Sequence, residues 1–160
     1  MKKKCLLLAL LALGCMSTLQ AQRKRASLYA PQLEQLYNKV DAAQAPAVAN
    51  KPLIGISQGY SEKKNSVNTA YVNSVLMNGG VPYIIPVTDD VEVLRQIMAQ
   101  LDGIVLTGGE DFDPAYYGDP AHEKLGEVND PRDTYDLTLF KLAKDRNVPI
   151  LGICRGLQLI

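Results

Sequence analysis

The sequence predicts an α/β fold, a three-layer sandwich in which helices cover both faces of a mostly parallel sheet. Short apolar runs alternate with segments of helical periodicity from residue 51 onward. Strands that alternate with helices pair in parallel and are joined by right-handed crossovers. Two glycine-containing motifs directly follow predicted strands, and sites in such sheets lie beyond the carboxyl ends of the strands.

Four strands and three helices are predicted in this region. The strands are short apolar runs bounded by turn residues, at Leu53–Ser57, Val81–Val87, Gly103–Thr107 and Pro149–Ile153. The helices have apolar side chains at helical spacing, at Val67–Met77, from a cap at Asp89 or Asp90 to Gln100, and at Asp133–Arg146. The segment between Gly108 and Pro131 lacks periodicity, and loops of that length are usually functional or disordered.

Residues 1–21 resemble a secretory signal peptide. Three lysines at positions 2–4 precede the apolar stretch Cys5–Leu13, which is too short for a typical membrane span. We expect cleavage after Ala21, export to a bacterial periplasm or cell surface, and no membrane span in the mature chain. A lipoprotein anchored through Cys15 is the alternative. Residues 22–50 are predicted to be a tether, in which Tyr29–Val40 has the spacing of a short amphipathic helix.

Composition argues against several functions. The whole chain has 17 basic and 17 acidic residues, and removal of three signal-peptide lysines leaves a mildly acidic balance. Without a basic patch and interleaved aromatic residues, nucleic-acid binding has little support. No cofactor and no metal are expected, because the carboxylates Glu110, Asp111 and Asp113 have neither a nearby histidine nor regular ligand spacing. We interpret them as solvated acids or turn caps.

The residues after the last predicted strand have the pattern of a nucleophile elbow. Gly152-Ile153-Cys154-Arg155-Gly156 places a cysteine between two glycines at a strand-to-helix turn. Gly152 and Gly156 leave room for the sharp bend, so both are predicted to be structural. Cys154 is then the predicted nucleophile. A buried structural cysteine is the alternative interpretation.

A second motif follows the third predicted strand. Gly108 and Gly109 leave backbone N–H groups unobstructed by side chains, which suits an oxyanion formed when a thiolate attacks a carbonyl. We expect the amides of Gly109 and Arg155 to form the oxyanion hole, and Gly108 and Glu110 to contact substrate. Arg132 is a candidate for binding a substrate carboxylate or for an exposed salt bridge at a helix start.

Three segments together resemble the gamma-glutamyl-gamma-aminobutyrate hydrolase family, the peptidase C26 branch of the class I glutamine amidotransferase-like proteins. They are residues 108–114, residues 130–133, and residues 149–158, and the resemblance extends over about Pro52 to Ile160. It implies a flavodoxin-like domain that hydrolyses a small-molecule gamma-glutamyl amide through an acyl-enzyme. By position, Cys154 matches the family nucleophile, whereas Gly109 and Arg155 match its oxyanion-hole positions. Family members often form dimers, so a homodimer is an open expectation.

The resemblance also implies a base that these residues do not supply. The family takes its base from a His-x-Glu pair on a later strand, whereas the single histidine here, His122, is predicted to be an exposed loop residue. We therefore expect residues 51–160 to be the N-terminal portion of such a domain, truncated after the elbow and weak or inactive alone. A non-catalytic interaction domain and a thiol redox protein are the alternative hypotheses.

Overall fold

A computed structural model describes Lys24 and residues 30–40, 42, 51–61 and 64–160. The chain divides into two units, Met1–Ala49 and Asn50–Ile160. In the first unit, residues 30–40 form helix α1, so the helix predicted at Tyr29–Val40 is confirmed over these positions. The predicted signal peptide lies outside the described residues. Among the residues that are described, no helix is long and apolar enough to cross a membrane.

The second unit contains a four-stranded sheet, a hairpin and four α-helices. In chain order they are β1 (Leu53–Ile56), β2 (Gly59–Ser61), β3 (Lys64–Ser66), α2 (Thr69–Met77), β4 (Val81–Ile84), α3 (Val91–Met98), β5 (Gly103–Leu106), α4 (Asp130–Asp145), β6 (Ile150–Gly152) and α5 (Arg155–Leu159). A 3-10 turn at Pro114–Tyr117 interrupts the long loop before α4. The sheet is parallel throughout, in the order β4-β1-β5-β6. The predicted α/β class and parallel sheet are therefore confirmed.

The sheet register brings three strand ends together. Ile56 of β1 pairs with Val105 of β5, and Leu106 of β5 pairs with Gly152 of β6. Beyond these pairs, the Thr107 N–H donates to Ser57 Oγ at 3.0 Å, and the Ile153 N–H donates to the Leu106 carbonyl at 3.0 Å. The carboxyl ends of β1, β5 and β6 consequently form one edge, as the general rule for such sheets requires.

One face of the sheet packs against α3 and α4. Ile104 and Leu106 of β5 point into this core, because alternate residues of a strand face the same side. The helices contribute Leu94, Met98, Tyr135, Leu139, Leu142 and Ala143. Burial of these apolar side chains supplies the main stabilising term, at roughly 25 cal/mol per Å² of apolar surface. The core therefore lies directly beneath the strand ends that carry both glycine motifs.

Several elements differ from the sequence prediction, and the strand predicted at Val81–Val87 ends at Ile84. The β2–β3 hairpin was not predicted, because its polar residues lack the alternation of a half-buried strand. Helix α4 begins at Asp130 rather than Asp133, since the Asn129 side chain accepts the Arg132 N–H at 3.1 Å and Pro131 occupies the first turn. Helix α2 begins at Thr69 rather than Val67, because Asn68 caps it.

Candidate active site

Cys154 occupies a sharp corner between β6 and α5. Its backbone has φ of 54° and ψ of −108°, a region that non-glycine residues seldom adopt. The thiol is free and the residue is exposed. Strained backbone of this kind persists only where the surrounding structure enforces it, and it clusters at functional sites. The structure therefore places a solvent-accessible thiol at the carboxyl edge of the sheet.

The two glycines flanking Cys154 permit close backbone packing. A Cβ at Gly156 would overlap the carbonyl oxygen of Leu106 on β5, and a Cβ at Gly152 would overlap the Gly156 carbonyl. Helix α5 therefore starts in direct backbone contact with the two strands next to it. Only glycine fits at both positions, which is the physical reason for the spacing around Cys154.

The Gly108-Gly109 segment lies beside the thiol. The position that a Cβ would take at Gly108 is 3.5 Å from Cys154 Cβ. Gly108 is not free to bind a ligand through its amide, because that N–H donates to the Tyr71 hydroxyl at 3.0 Å. Within residues 51–61 and 64–160, the amides of Gly109 and Arg155 have no hydrogen-bond acceptor. These are the two predicted oxyanion donors.

Arg132 lies under this loop, with 1% of its side chain exposed. Its Nη2 donates to the Gly108 carbonyl at 2.8 Å and to Thr107 Oγ1 at 3.2 Å, while Nη1 binds Glu110 Oε2 at 2.7 Å. A Cβ at Gly109 would lie 2.9 Å from Arg132 Cζ. Arg132 is therefore not an exposed salt bridge, and its Nη1 and Nη2 atoms bind residues of the loop. Because Arg132 also lines the neighbouring cleft, binding of a substrate carboxylate stays a prediction.

The Arg155 side chain anchors the other side of the corner. It is buried, donates to the carbonyl of Asp111 at 2.9 Å and pairs with Asp133 of α4. Its guanidinium also stacks over the Phe112 ring, 5.3 Å from the ring centroid. The residue after Cys154 consequently presents its backbone amide at the corner while its side chain binds α4 and the loop.

Asp136 of α4 links the two arginines. Its Oδ2 is 3.5 Å from Arg132 Nε and 3.2 Å from Arg155 Nε. Burial raises the pKa of Asp136 to about 6, and the charges of Arg132 and then Arg155 oppose that rise. Desolvation outweighs both attractions, so this carboxylate costs the fold stability when it is ionised.

A cleft of about 380 Å³ opens next to the Gly108-Gly109 segment. The β2–β3 hairpin forms one wall, the start of α2 with Asn68 and Tyr71 forms another, and Glu110 lies at the loop side. The Glu110 side chain is 23% exposed, but one carboxylate oxygen already binds Arg132. The cleft therefore brings together polar groups from the hairpin, α2 and the Gly108-Gly109 loop, and Arg132 also lines it, whereas Cys154 is not among the described residues that line it.

The remaining polar residues of the long loop have local roles. Asp113 Oδ1 accepts the Ala115 N–H at 2.9 Å, and Asp111 Oδ2 accepts the Gly126 N–H at 2.9 Å. The interpretation as a turn cap is confirmed for Asp113, whereas Asp111 binds a residue 15 positions away in the same loop and Glu110 pairs with the buried Arg132. His122 is exposed, as predicted, and its Nδ1 accepts the Lys124 N–H at 3.1 Å.

Sequence reasoning missed Tyr71 and the buried charge cluster of Asp133, Asp136, Arg132 and Arg155. The pattern of the helix gave Tyr71 no role beyond its place among the residues at helical spacing. A signal for the cluster was present, because Asp136 shares a helix face with Leu139 and Ala143, which are core residues. Charged residues aligned with an apolar stripe indicate a buried network, since isolated charges are almost never fully buried.

The chain is therefore an α/β protein with a parallel sheet and a strained cysteine at the turn from a strand into a helix, which is the arrangement of a nucleophile elbow. The sequence model of the Peptidase C26 family matches residues 48–160, and the chain belongs to this family. The match covers the whole sheet and both glycine motifs.

Curated relatives agree with this assignment. A gamma-glutamyl-gamma-aminobutyrate hydrolase of Escherichia coli (strain K12) is 30% identical over 117 residues, which cover 69% of this chain and 45% of the relative. A glutamine amidotransferase-like protein of Rickettsia prowazekii is 33% identical over 121 residues, or 69% of this chain and 42% of the relative. One from Lactococcus lactis subsp. lactis is 44% identical over 82 residues, or 51% and 34%. The chain thus spans less than half the length of these relatives.

Proposed function

We propose that this protein hydrolyses gamma-glutamyl amide bonds, with Cys154 as the nucleophile. The observation that carries the proposal is the exposed thiol at a strained corner, beside two backbone amides that bind no described residue. Family membership and a hydrolase of that activity among the relatives support the substrate class. The substrate is a small molecule, consistent with the size of the neighbouring cleft.

The chemistry begins with attack of the Cys154 thiolate on the gamma-carbonyl carbon. A C–S bond forms, and the carbonyl π electrons move to oxygen, where the amides of Gly109 and Arg155 stabilise the negative charge. Collapse of this intermediate breaks the C–N bond, and the departing amine takes a proton from a general acid. Water then attacks the thioester, which releases glutamate and returns the thiol.

The proton carrier is proposed to be an imidazole from another part of the whole protein. His122 is exposed in the loop and its Nδ1 already accepts a backbone N–H. The matched regions cover less than half of the relatives, which leaves ample sequence for a base and its acidic partner. Residues 51–160 would then supply the nucleophile and oxyanion site but turn over slowly alone, because a missing base forfeits on the order of 10²–10⁴ in rate.

The test is release of amine from gamma-glutamyl-gamma-aminobutyrate by the full-length protein and by Cys154→Ala. We expect turnover with the unaltered protein, none with the variant, and a glutamyl adduct on Cys154 in mass spectra of rapidly quenched reactions. Cys154→Ser is the matched control for side-chain size, and it should also be inactive, since an alcohol is a far weaker nucleophile at neutral pH. Undiminished turnover in Cys154→Ala would refute the assignment.

An interaction domain is the second candidate function, favoured by apolar side chains near the outer strand. Leu151 of β6 and Leu157 of α5 are 57% and 66% exposed. Exposed apolar side chains at the edge of a sheet can be covered by a partner protein, including a second copy of the chain. Sedimentation of the full-length protein and of Leu151→Glu separates the hypotheses. A complex lost in the variant, with no hydrolysis by either protein, would favour the interaction domain.

Export remains part of the proposal. The lysines and apolar run of residues 1–21 support a signal peptide, and Cys15 supports the lipoprotein alternative. A reporter enzyme that folds only outside the cytoplasm, fused after residue 25, should be active. Cys15→Ala should leave that activity in place if Ala21 is the cleavage site, whereas loss of membrane attachment would favour lipidation.

A further inference from the structure

We propose that Arg132 is a positioning residue that holds the oxyanion loop against the nucleophile corner. This inference rests on the proposed function, because it assigns a role in the same acyl transfer. Arg132 lines the cleft but has no hydrogen bond to Cys154 among the described residues. It acts through Gly108 and Gly109, whose backbone lies between its guanidinium and the thiol.

The contacts of Arg132 define the path of the loop. The guanidinium binds three residues of the loop, through the Thr107 hydroxyl, the Gly108 carbonyl and the Glu110 carboxylate. A planar group with several fixed donors specifies the orientation of its acceptors, which a flexible lysine ammonium does not. Because the carbonyl of Gly108 and the amide of Gly109 belong to one planar peptide unit, fixing the first also fixes the second.

The packing at Gly109 gives the same conclusion independently. A Cβ there would overlap Arg132 Nη1, so the loop backbone rests directly on the guanidinium. The three atoms nearest to that position all belong to the Arg132 guanidinium, so movement of the guanidinium should shift the Gly109 amide. An oxyanion donor is effective only when it lies within hydrogen-bond distance of the developing charge, so small displacements are costly.

The nucleophile corner is fixed to the same support. Arg155 binds Asp136 Oδ2, the oxygen nearest to Arg132, and also Asp133 one turn earlier on α4. Residues in the first two turns of α4 therefore hold both oxyanion donors in place. This common attachment explains why two buried arginines occur within a few ångströms of one another despite their desolvation cost.

Two reactions of the Cys154 thiol distinguish positioning from general stabilisation. Acylation by p-nitrophenyl acetate forms a C–S bond through an oxyanion, and p-nitrophenolate leaves while water takes the thiol proton. Alkylation by iodoacetamide forms a C–S bond as iodide leaves, with no oxyanion. An amide that stabilises an oxyanion accelerates the first reaction only. Both rates are measured on the full-length protein, with modification at Cys154 verified by peptide mass spectrometry.

The test variant is Arg132→Lys, and the matched control is Arg146→Lys, since Arg146 is exposed and its side chain binds the Ala99 carbonyl. Arg132→Lys should slow acylation on the order of tenfold or more and change alkylation by less than about threefold. The control should change neither rate. Equal loss in both reactions, or unchanged acylation, would overturn the inference. The ratio of the acylation rate to the alkylation rate should be higher for the unaltered protein than for free cysteine. An equal or lower ratio would also overturn the inference.

Glu110→Gln keeps the test decisive if Arg132→Lys does not fold. Glu110 is partly exposed and loses only its charge, so the fold should survive while the Arg132 contact weakens. Acylation should fall several-fold and alkylation should be unchanged. Gamma-glutamyl hydrolysis is measured in parallel. Absence of that activity with an intact acylation effect would contradict the proposed substrate while leaving the role of Arg132 in place.

Discussion

Arg155 and Asp133 form an ion pair in which both side chains are almost completely buried, at 1% and 0% exposed. The pair joins the residue after the candidate nucleophile to the first turn of α4. Burying two charges is expensive, and the attraction between them offsets that cost only while both partners are present. The pair is therefore better understood as a constraint on geometry than as a source of stability.

Asp133→Asn should destabilise the protein by about 3 kcal/mol, because it leaves Arg155 buried without its nearest counter-charge. The measurement is urea unfolding followed by circular dichroism. Asp145→Asn is the matched control, since Asp145 pairs with Lys141 on the exposed face of the same helix. The control should change the free energy of unfolding by less than about 0.5 kcal/mol. Similar effects in both variants would show that burial of the pair is energetically unimportant.

The raised pKa of Asp136 leads to a specific prediction for how the stability of the fold depends on pH. Its folded pKa of about 6 lies above its ordinary value of 3.8, so the folded state binds this proton more tightly than the unfolded state does. The stabilising contribution is complete below pH 3.8 and is lost as pH rises to 6. The total is about 3 kcal/mol, since a pKa difference of one is worth about 1.36 kcal/mol.

Asp136→Asn isolates this contribution, because the amide cannot ionise. The free energy of unfolding of the variant, relative to the unaltered protein, should rise by about 2 kcal/mol between pH 4 and pH 7, because part of the total is already lost at pH 4. A constant offset is expected from replacing the neutral carboxyl group by an amide, and it does not affect that difference, because the ion pairs of the ionised form are already included in the folded pKa. A relative stability that stays flat, or falls, across this range would mean that the two arginines outweigh burial.

The sheet was predictable because its strands are short apolar runs separated by helical periodicity. Strand β5, with all four residues buried, is the clearest example. The β2–β3 hairpin was not predicted because Lys64, Asn65 and Ser66 are exposed polar residues without the alternation of a half-buried strand. Its position over the cleft could be learned only from tertiary structure.

The candidate site was predictable where its parts are contiguous in sequence. Cys154 with its flanking glycines, and the Gly108-Gly109 pair, each occupy one short segment. The buried arginines that support the site were not predictable, because Arg132 and Arg155 contact the loop from segments more than twenty residues away in sequence. Sequence patterns assign charged residues to the surface by default, and only the packed helix face reveals that these are inside.

Gly156→Ala should destabilise the protein by about 3 kcal/mol. The added Cβ would overlap the Leu106 backbone carbonyl, so α5 or β5 must move. Gly59→Ala is the control, because its Cβ would meet nothing closer than 3.5 Å. That change should alter the free energy of unfolding by less than about 1 kcal/mol. The measurement is thermal and urea unfolding. If both substitutions change the free energy of unfolding equally little, the corner is not as tightly packed as the structure indicates.

Cys154 should react with iodoacetamide in the native protein, at a rate that unfolding in urea changes by less than about tenfold, because the residue is exposed. Peptide mass spectrometry assigns the modified cysteine. The control is Leu106→Cys in a Cys154→Ala background, which moves the thiol to a position with 0% exposure on the adjacent strand. That thiol should react only after unfolding. A native Cys154 as inert as the buried control would remove the accessible nucleophile on which the proposed hydrolysis depends.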